Sequence, residues 1–411
     1  MDQTEALIIE TIDRHREEIL EFARDIYSHA ELGYKEFQTS GKFVKKMEQL
    51  GLRTEKGFAI TGVKAYLNED KKENASLALL GELDALRIPE HAFANPETNA
   101  AHCCGHHAQM AGVFGAALAL TVPEIAEKLD GQVVFFATPA EEYGEIEFKN
   151  QLREQGKIRY GGGKCELLRI GAFDDIDLCL THHIRPGNEI LVGSGTGNGF
   201  VSKVIRVLGK ASHAAGAPEK GVNALSAASL GLQALGLNRE TFRDEDCVRV
   251  HPIITKGGNL VNVIPDEVVV ETLVRGKTIE AFTDAAKKTD RSFKAGAIAM
   301  GAKVEISTLP GYLPTLAEEA LPELKHAAEI SASGIPVIEA SGHAGGSTDV
   351  GDVQHLMPVY TFNTGGVKGG LHQIDFEVTD EEEAYIVTAK MFALAAYGLL
   401  KEKAQRSREL V

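Results

Sequence analysis

Between residues 76 and 142 the chain reads SLALLGELDAL (76–86), then HCCGHHAQMAGVFGAALALT (102–121), then QVVFFATPAEE (132–142). The first and third segments are short, continuous apolar runs that break into carboxylates. Such runs predict strands buried on both faces. The middle segment is long enough for a helix over 107–121, entered after Gly105. Strand, helix and strand in that order imply an α/β fold: a mixed sheet flanked by helices. Outward from there the pattern repeats. Residues 176–180 (IDLCL) and 357–362 (MPVYTF) read as further strands, and 163–171, 317–331 and 380–400 as helices. At the N-terminus Ile8, Ile12, Ile19, Phe22, Ala23 and Ile26 recur near helical spacing between charged residues, which predicts an amphipathic helix.

Residues 196–309 read differently. VSKVIRVLGK alternates like a half-exposed strand, and the order from there is strand, helix, strand, strand, helix, strand. That order predicts a small α+β sandwich inserted into the larger domain. The expected division is therefore a larger domain in two parts, 1–195 and 310–411, around an inserted domain, 196–309. The polar segment 144–163 reads as a long loop or lid.

Totals narrow the function. A chain of 411 residues exceeds the usual size of one core, so two domains are expected. A net charge of -16, with no basic block, excludes a nucleic-acid partner. Five cysteines, two of them adjacent, do not make a disulfide framework and point to reduced thiols in the cytoplasm. The N-terminal residues lack a signal-peptide pattern, and no run of about 18 apolar residues suggests a membrane span.

In open α/β sheets ligands bind beyond the carboxyl ends of the strands. LALLGEL runs into Asp84, VVFFATPA into Glu141 and Glu142, IDLCLT into His182 and His183, and VYTFNTGG leads on to His372. Cys104-Gly-His106 opens the helix between the first two runs. Five segments thus deliver His, Cys, Asp or Glu to one edge of the sheet. Thiolate, imidazole and carboxylate together suit Zn²⁺ or Mn²⁺. Taken alone, Cys104 and His106 also read as a buried thiol beside a helix-terminal histidine, and Glu141-Glu142 as a solvated acidic turn. As a functional pair, one glutamate could ligate a metal while the other moves a proton. His213 in SHAA, Asn262 in NVIP, Arg275, and Gly346-Ser347 in GSTD lie in the inserted domain or in a polar turn. Each reads either as a solvated residue or as a substrate contact. His15, His91, His251, His326, His343 and His355 read as structural or solvated.

The ordered set HxELGYKEFQTS (29–40), GELDAL (81–86), HCCGHH (102–107), TPAEE (138–142), HHIRP (182–186), GKASHAA (209–215), NVIP (262–265), GSTDVGD (346–352) and LHQIDF (371–376) resembles the aminoacylase-type metallopeptidases. Within them it is most similar to the branch of hippurate hydrolase, indoleacetyl-amino-acid hydrolase and aminobenzoyl-glutamate hydrolase. The resemblance implies two divalent ions per chain, Zn or Mn. Cys104 would bridge them and His106, Glu142, His183 and His372 would complete the ligands. Glu141 would be the general base and acid, Asp84 would orient a ligand, and His213, Asn262 and Arg275 would meet the substrate. It also implies a homodimer through the inserted domain, with His213 able to reach the partner's site.

Two positions depart from the family's HACGHDxH pattern: His107 replaces Asp and Gln109 replaces His. Ala30 also replaces the Pro of HPELG. The expected activity is hydrolysis of the C–N bond of a small N-acyl or N-aroyl amino acid by a metal-activated water. The alternatives are a dipeptidase, carboxypeptidase or aryl-amine-releasing hydrolase, and a metal-binding scaffold that has lost catalysis. A cysteine hydrolase using Cys104 and His106 is disfavoured, because residues so close in sequence cannot be arranged freely as nucleophile and base.

Overall fold

The computed structural model describes all 411 residues. The chain forms two compact units: Met1–Gly195 with Leu316–Gly342 and Asp352–Val411, and Thr196–Thr315 with His343–Gly351.

The first unit is built on an eight-stranded sheet in the order Arg53–Phe58, Gly62–Leu67, Gln132–Thr138, Ser76–Glu82, Leu178–Ile184, Val359–Thr364, Ile190–Val192 and Val337–Glu339. The strands from Gln132–Thr138 to Val359–Thr364 run parallel, while Gly62–Leu67 is antiparallel to both its neighbours. The sheet is therefore mixed, as the sequence implies. Strands Ser76–Glu82 and Gln132–Thr138 are buried at every residue. That explains their unbroken apolar runs, since both faces are covered by helices.

Helix His106–Leu120 is also buried at every residue. It packs against strand Ser76–Glu82, helix Arg16–Ser28 and the C-terminal helix Thr388–Leu410. The approach is close: a Cβ on Gly112 would meet the Thr388 methyl at 2.5 Å. The C-terminal helical stretch Glu382–Leu410 is long and apolar enough to cross a membrane, but 89% of its apolar window is buried inside the protein. Here it is a core helix. The N-terminal apolar stripe is found as expected, with Ile8, Ile12, Ile19, Phe22, Ala23 and Ile26 all buried. It lies on two helices, Gln3–Arg14 and Arg16–Ser28, interrupted at His15.

The second unit has an antiparallel sheet in which Glu267–Gly276 pairs with Gly199–Leu208, and that strand with Lys303–Pro310. Along Glu267–Gly276 buried and half-buried residues alternate, one face turned to the core. Helices Ala224–Asn238 and Ile279–Ala299 supply Ala227, Ala228 and Phe293 to that core. The unit differs from the expected 196–309 insertion in extent. It runs to Thr315 and takes back His343–Gly351, so the GSTD turn belongs to it and not to the catalytic part. His343 pairs in parallel with Thr196 as a short bridge, a pairing distant in sequence and invisible to local patterns. The expected loop 144–163 holds a helix, Ile146–Glu154, whose Leu152 and Lys149 are buried.

Candidate metal centre and active site

The site residues of the first unit leave the parallel strands at their carboxyl ends. Glu82 ends strand Ser76–Glu82, and Asp84 lies just beyond it. Glu141 and Glu142 follow strand Gln132–Thr138 on a turn that begins at Ala140, a non-glycine residue with φ 51°. That turn is held from several sides. The Asp84 carboxylate accepts the backbone N–H groups of Glu141 (3.1 Å) and Glu142 (2.9 Å). The Glu36 carboxylate accepts that of Ala140 (2.8 Å). Lys149 Nζ donates to the carbonyl of Glu142 (2.6 Å). Burial first, and then the Asp84 charge, pushes the Glu36 carboxyl up to about 7.

His182 and His183 lie inside strand Leu178–Ile184, not after it. Alternation sends them to opposite faces. His182 turns to the helices, its Nε2 2.8 Å from the Thr364 hydroxyl. His183 faces the site, with Nε2 3.3 Å from Cys104 Sγ.

Cys104 and His106 flank Gly105, whose φ of 87° caps the helix. A Cβ there would lie 2.0 Å from Ile184 Cγ2, so only glycine lets the chain pass. From the opposite side comes His372, with φ 62°, Nε2 3.2 Å from Cys104 Sγ and 3.1 Å from Glu142 Oε1. Cys104 thus stands between two imidazoles.

Three donor groups result: Cys104, His106 and His183; Cys104, Glu142 and His372; and Glu82, His106 and Glu141, each with ligand atoms within 4.8 Å of one another. The nitrogens are set for ligation. His106 Nδ1 lies 2.8 Å from the Asp84 carbonyl and His183 Nδ1 2.8 Å from the Ile184 carbonyl. A carbonyl only accepts, so each Nδ1 carries the proton and each Nε2 presents a lone pair. His106 Nε2 is buried without a hydrogen-bond partner.

Electrostatics agree. Burial opposes a charge on His106, yet the Glu82 carboxylate and Cys104 raise its pKa well above the usual histidine value, so the spot favours a positive charge. Burial, with Glu142 beside it, keeps the Cys104 thiol protonated far above its normal range. Only a cation would release that proton. Thiolate, imidazole and carboxylate donors in this arrangement fit divalent transition-metal ions.

Two residues that depart from the expected pattern are now placed. His107 points away from the donors, its Nε2 3.1 Å from the Tyr385 hydroxyl. Burial and the neighbouring His106 hold its pKa down to about 3. It adds no ligand. Gln109 bonds Glu82 twice: Glu82 N–H to Oε1 (2.9 Å) and Nε2 to Glu82 Oε2 (2.8 Å).

The second unit gathers the remaining residues into two places. His213 and Asn262 are exposed neighbours, with Ala214 N–H bonded to the Asn262 carbonyl (3.0 Å). His213 Nδ1 accepts the N–H of Gly216 (2.9 Å), which leaves Nε2 as the donor. Arg275 donates to Ser347 Oγ (2.7 Å) and stacks 5.3 Å from the Phe200 ring. Gly346 accepts the Asn198 N–H (2.9 Å).

The sequence profile of peptidase family M20/M25/M40 matches residues 78–397. The chain belongs to this family. It is similar to the Xaa-Arg dipeptidase of Mus musculus, 27% identical over 408 residues, 96% of this chain and 85% of that one. It is similar also to an IAA-amino acid hydrolase (ILR1-like 2) of Arabidopsis thaliana, 30% identical over 64% of this chain and 56% of that one. Among solved structures a dinuclear metal-binding peptidase of Bacillus subtilis has the same fold, with a TM-score of 0.66 at 24% identity over 94% of this chain and 99% of that one. As a member of the M20/M25/M40 family, the protein is a metal-dependent amidohydrolase or peptidase.

Sequence reading of this family member missed Glu82, Lys164 and Lys149. Glu82 carried a signal: it stands two residues before Asp84, on the same side of an extended chain.

Proposed function

We propose that the protein hydrolyses the amide bond of a small N-acyl or N-aroyl amino acid at a pair of divalent ions, Zn or Mn. The observation that carries this reading is the position of Cys104 Sγ between His183 Nε2 (3.3 Å) and His372 Nε2 (3.2 Å), with the Glu141 carboxylate 3.8 Å from His106 Nε2. Cys104, His106, Glu142, His183 and His372 would hold the ions. Ions bound there would supply Lewis acidity and lower the pKa of an attacking water.

The rest of the chemistry belongs to the chain. Glu141 takes a proton from the attacking water and returns it to the departing nitrogen, because an amine leaves poorly unless protonated. Asp84 fixes the turn that carries Glu141 and Glu142, and holds His106 from behind. In this reading His213 Nε2–H, with Asn262, stabilises the developing oxyanion. The Arg275 guanidinium, held by Ser347 near Gly346, takes the substrate carboxylate. A homodimer through the second unit and a cytoplasmic setting belong to the same proposal; five free cysteines support the latter. The relative from Arabidopsis supports an acylated amino acid as substrate.

A second reading is dipeptide cleavage, favoured by the full-length similarity to the mouse dipeptidase. The two separate on a panel of N-acetyl, N-benzoyl and aminobenzoyl amino acids alongside dipeptides, assayed for free amine before and after chelation. Faster turnover of acylated substrates supports the first reading, and preference for free-amine dipeptides replaces it with the second.

A further inference from the structure

One carboxylate outside the ligand set above faces the same nitrogen as the ions. Glu82 is 3% exposed, and its Oε2 lies 3.1 Å from His106 Nε2. Oε2 of Glu141 lies 3.8 Å from that nitrogen. Two donors at about 2.1 Å from a common ion, subtending a right or tetrahedral angle, stand about 3.0–3.4 Å apart. The Glu82–His106 spacing falls in that window. His106 Nε2 presents a lone pair and has no hydrogen-bond partner.

The carboxylate is also held in place. Lys164 Nζ, fully buried, donates to Oε1. Gln109 Nε2 donates to Oε2, and its Oε1 accepts the backbone N–H of the same Glu82. Lys164 and Gln109 satisfy one lone pair on each oxygen. The plane they set leaves Oε2 turned to His106, with a lone pair to spare. An ion pair serving stability alone would not require that orientation, nor a two-point amide clamp.

We propose that Glu82 is a further protein ligand, joining His106 on one ion, with Gln109 and Lys164 as its positioning residues. This rests on the two-ion reading. It makes the ions unequal: one held among Cys104, Glu142 and His372, the other given an added hard carboxylate donor that suits Mn²⁺ better than the thiolate-rich side.

The test titrates chelated protein with Mn²⁺ alone and counts bound ion by the loss of the free-ion EPR signal. Wild type is expected to bind about two Mn²⁺ per chain. Glu82→Gln is expected to lose affinity at one of them by at least about 10–100-fold, with the other unchanged. Because Glu82→Gln strands the Lys164 charge, the double variant Glu82→Gln/Lys164→Met, which removes both charges, is titrated beside it and is expected to show the same loss. Two ions bound with unchanged affinity in either folded variant overturn the role of Glu82 and leave the two-ion reading standing. No tight Mn²⁺ in wild type overturns both.

Discussion

Glu141 and Glu142 share one turn yet face different partners. Glu142 reaches His372 at 3.1 Å, while Glu141 stands 3.8 Å from His106. That separation lets one carboxylate bind and the other move protons. Glu141→Gln should therefore lower kcat by about 10²–10⁴-fold with ion content unchanged, measured by steady-state kinetics beside elemental analysis. Retained activity would remove Glu141 from the chemistry. At this scale the sequence was partly legible. The resemblance selects His183 over His182, and the structure turns only His183 toward Cys104. The place of Glu82 beside Asp84 was legible, but its hold was not, because Gln109 and Lys164 stand 27 and 82 residues away. His107 departs from the family's pattern, and what it contacts was not legible: Tyr385, 278 residues on, takes its nitrogen.

Elements carry the site through a few strained or buried points. Gly105 allows the helix to start beneath Cys104. Gly105→Ala combines an unfavourable φ with a contact 2.0 Å from Ile184. A loss of about 2 kcal/mol or more is expected, seen as a lower midpoint in denaturant. A second element-scale test concerns Glu318, in the Leu316–Gly342 part of the first unit. Its Oε1 accepts the Val359 N–H (3.2 Å), and burial raises its carboxyl to about 7. A carboxyl whose folded pKa exceeds its unfolded value of 4.5 favours folding most below that value. That contribution fades as pH rises from about 4.5 to about 7. Glu318→Gln should flatten this slope and raise the melting temperature most at pH 8, checked by melts across pH 5–8. Helix His106–Leu120 was recognised by length and composition, since a helix buried on all sides has no polar stripe to show. Helix Ile146–Glu154 was hidden by its polar composition, and its buried Lys149 earns that place through the Glu142 carbonyl rather than through apolar packing.

Across the whole molecule, the four parallel strands explain why so scattered a set of residues converges. Their order was not readable, but their apolar runs and the carboxylates and histidines at their ends were. The second unit differs in extent from the expected 196–309, because the return of His343–Gly351 depends on pairing with Thr196 and Gly197. A site so rich in carboxylate, thiol and imidazole should also couple ion binding to stability. Ions present at about 100 times their Kd add roughly 2.7 kcal/mol. Chelation should therefore lower the melting temperature by several degrees, and re-addition of Zn²⁺ or Mn²⁺ should restore it. The most direct test of the two-ion amidohydrolase is the rate of N-acyl amino acid hydrolysis as chelated protein is titrated with Zn²⁺ or Mn²⁺. The account predicts no turnover without ions and a rise that saturates at about two per chain. Full turnover in the chelated protein, or saturation at a single ion, would contradict it.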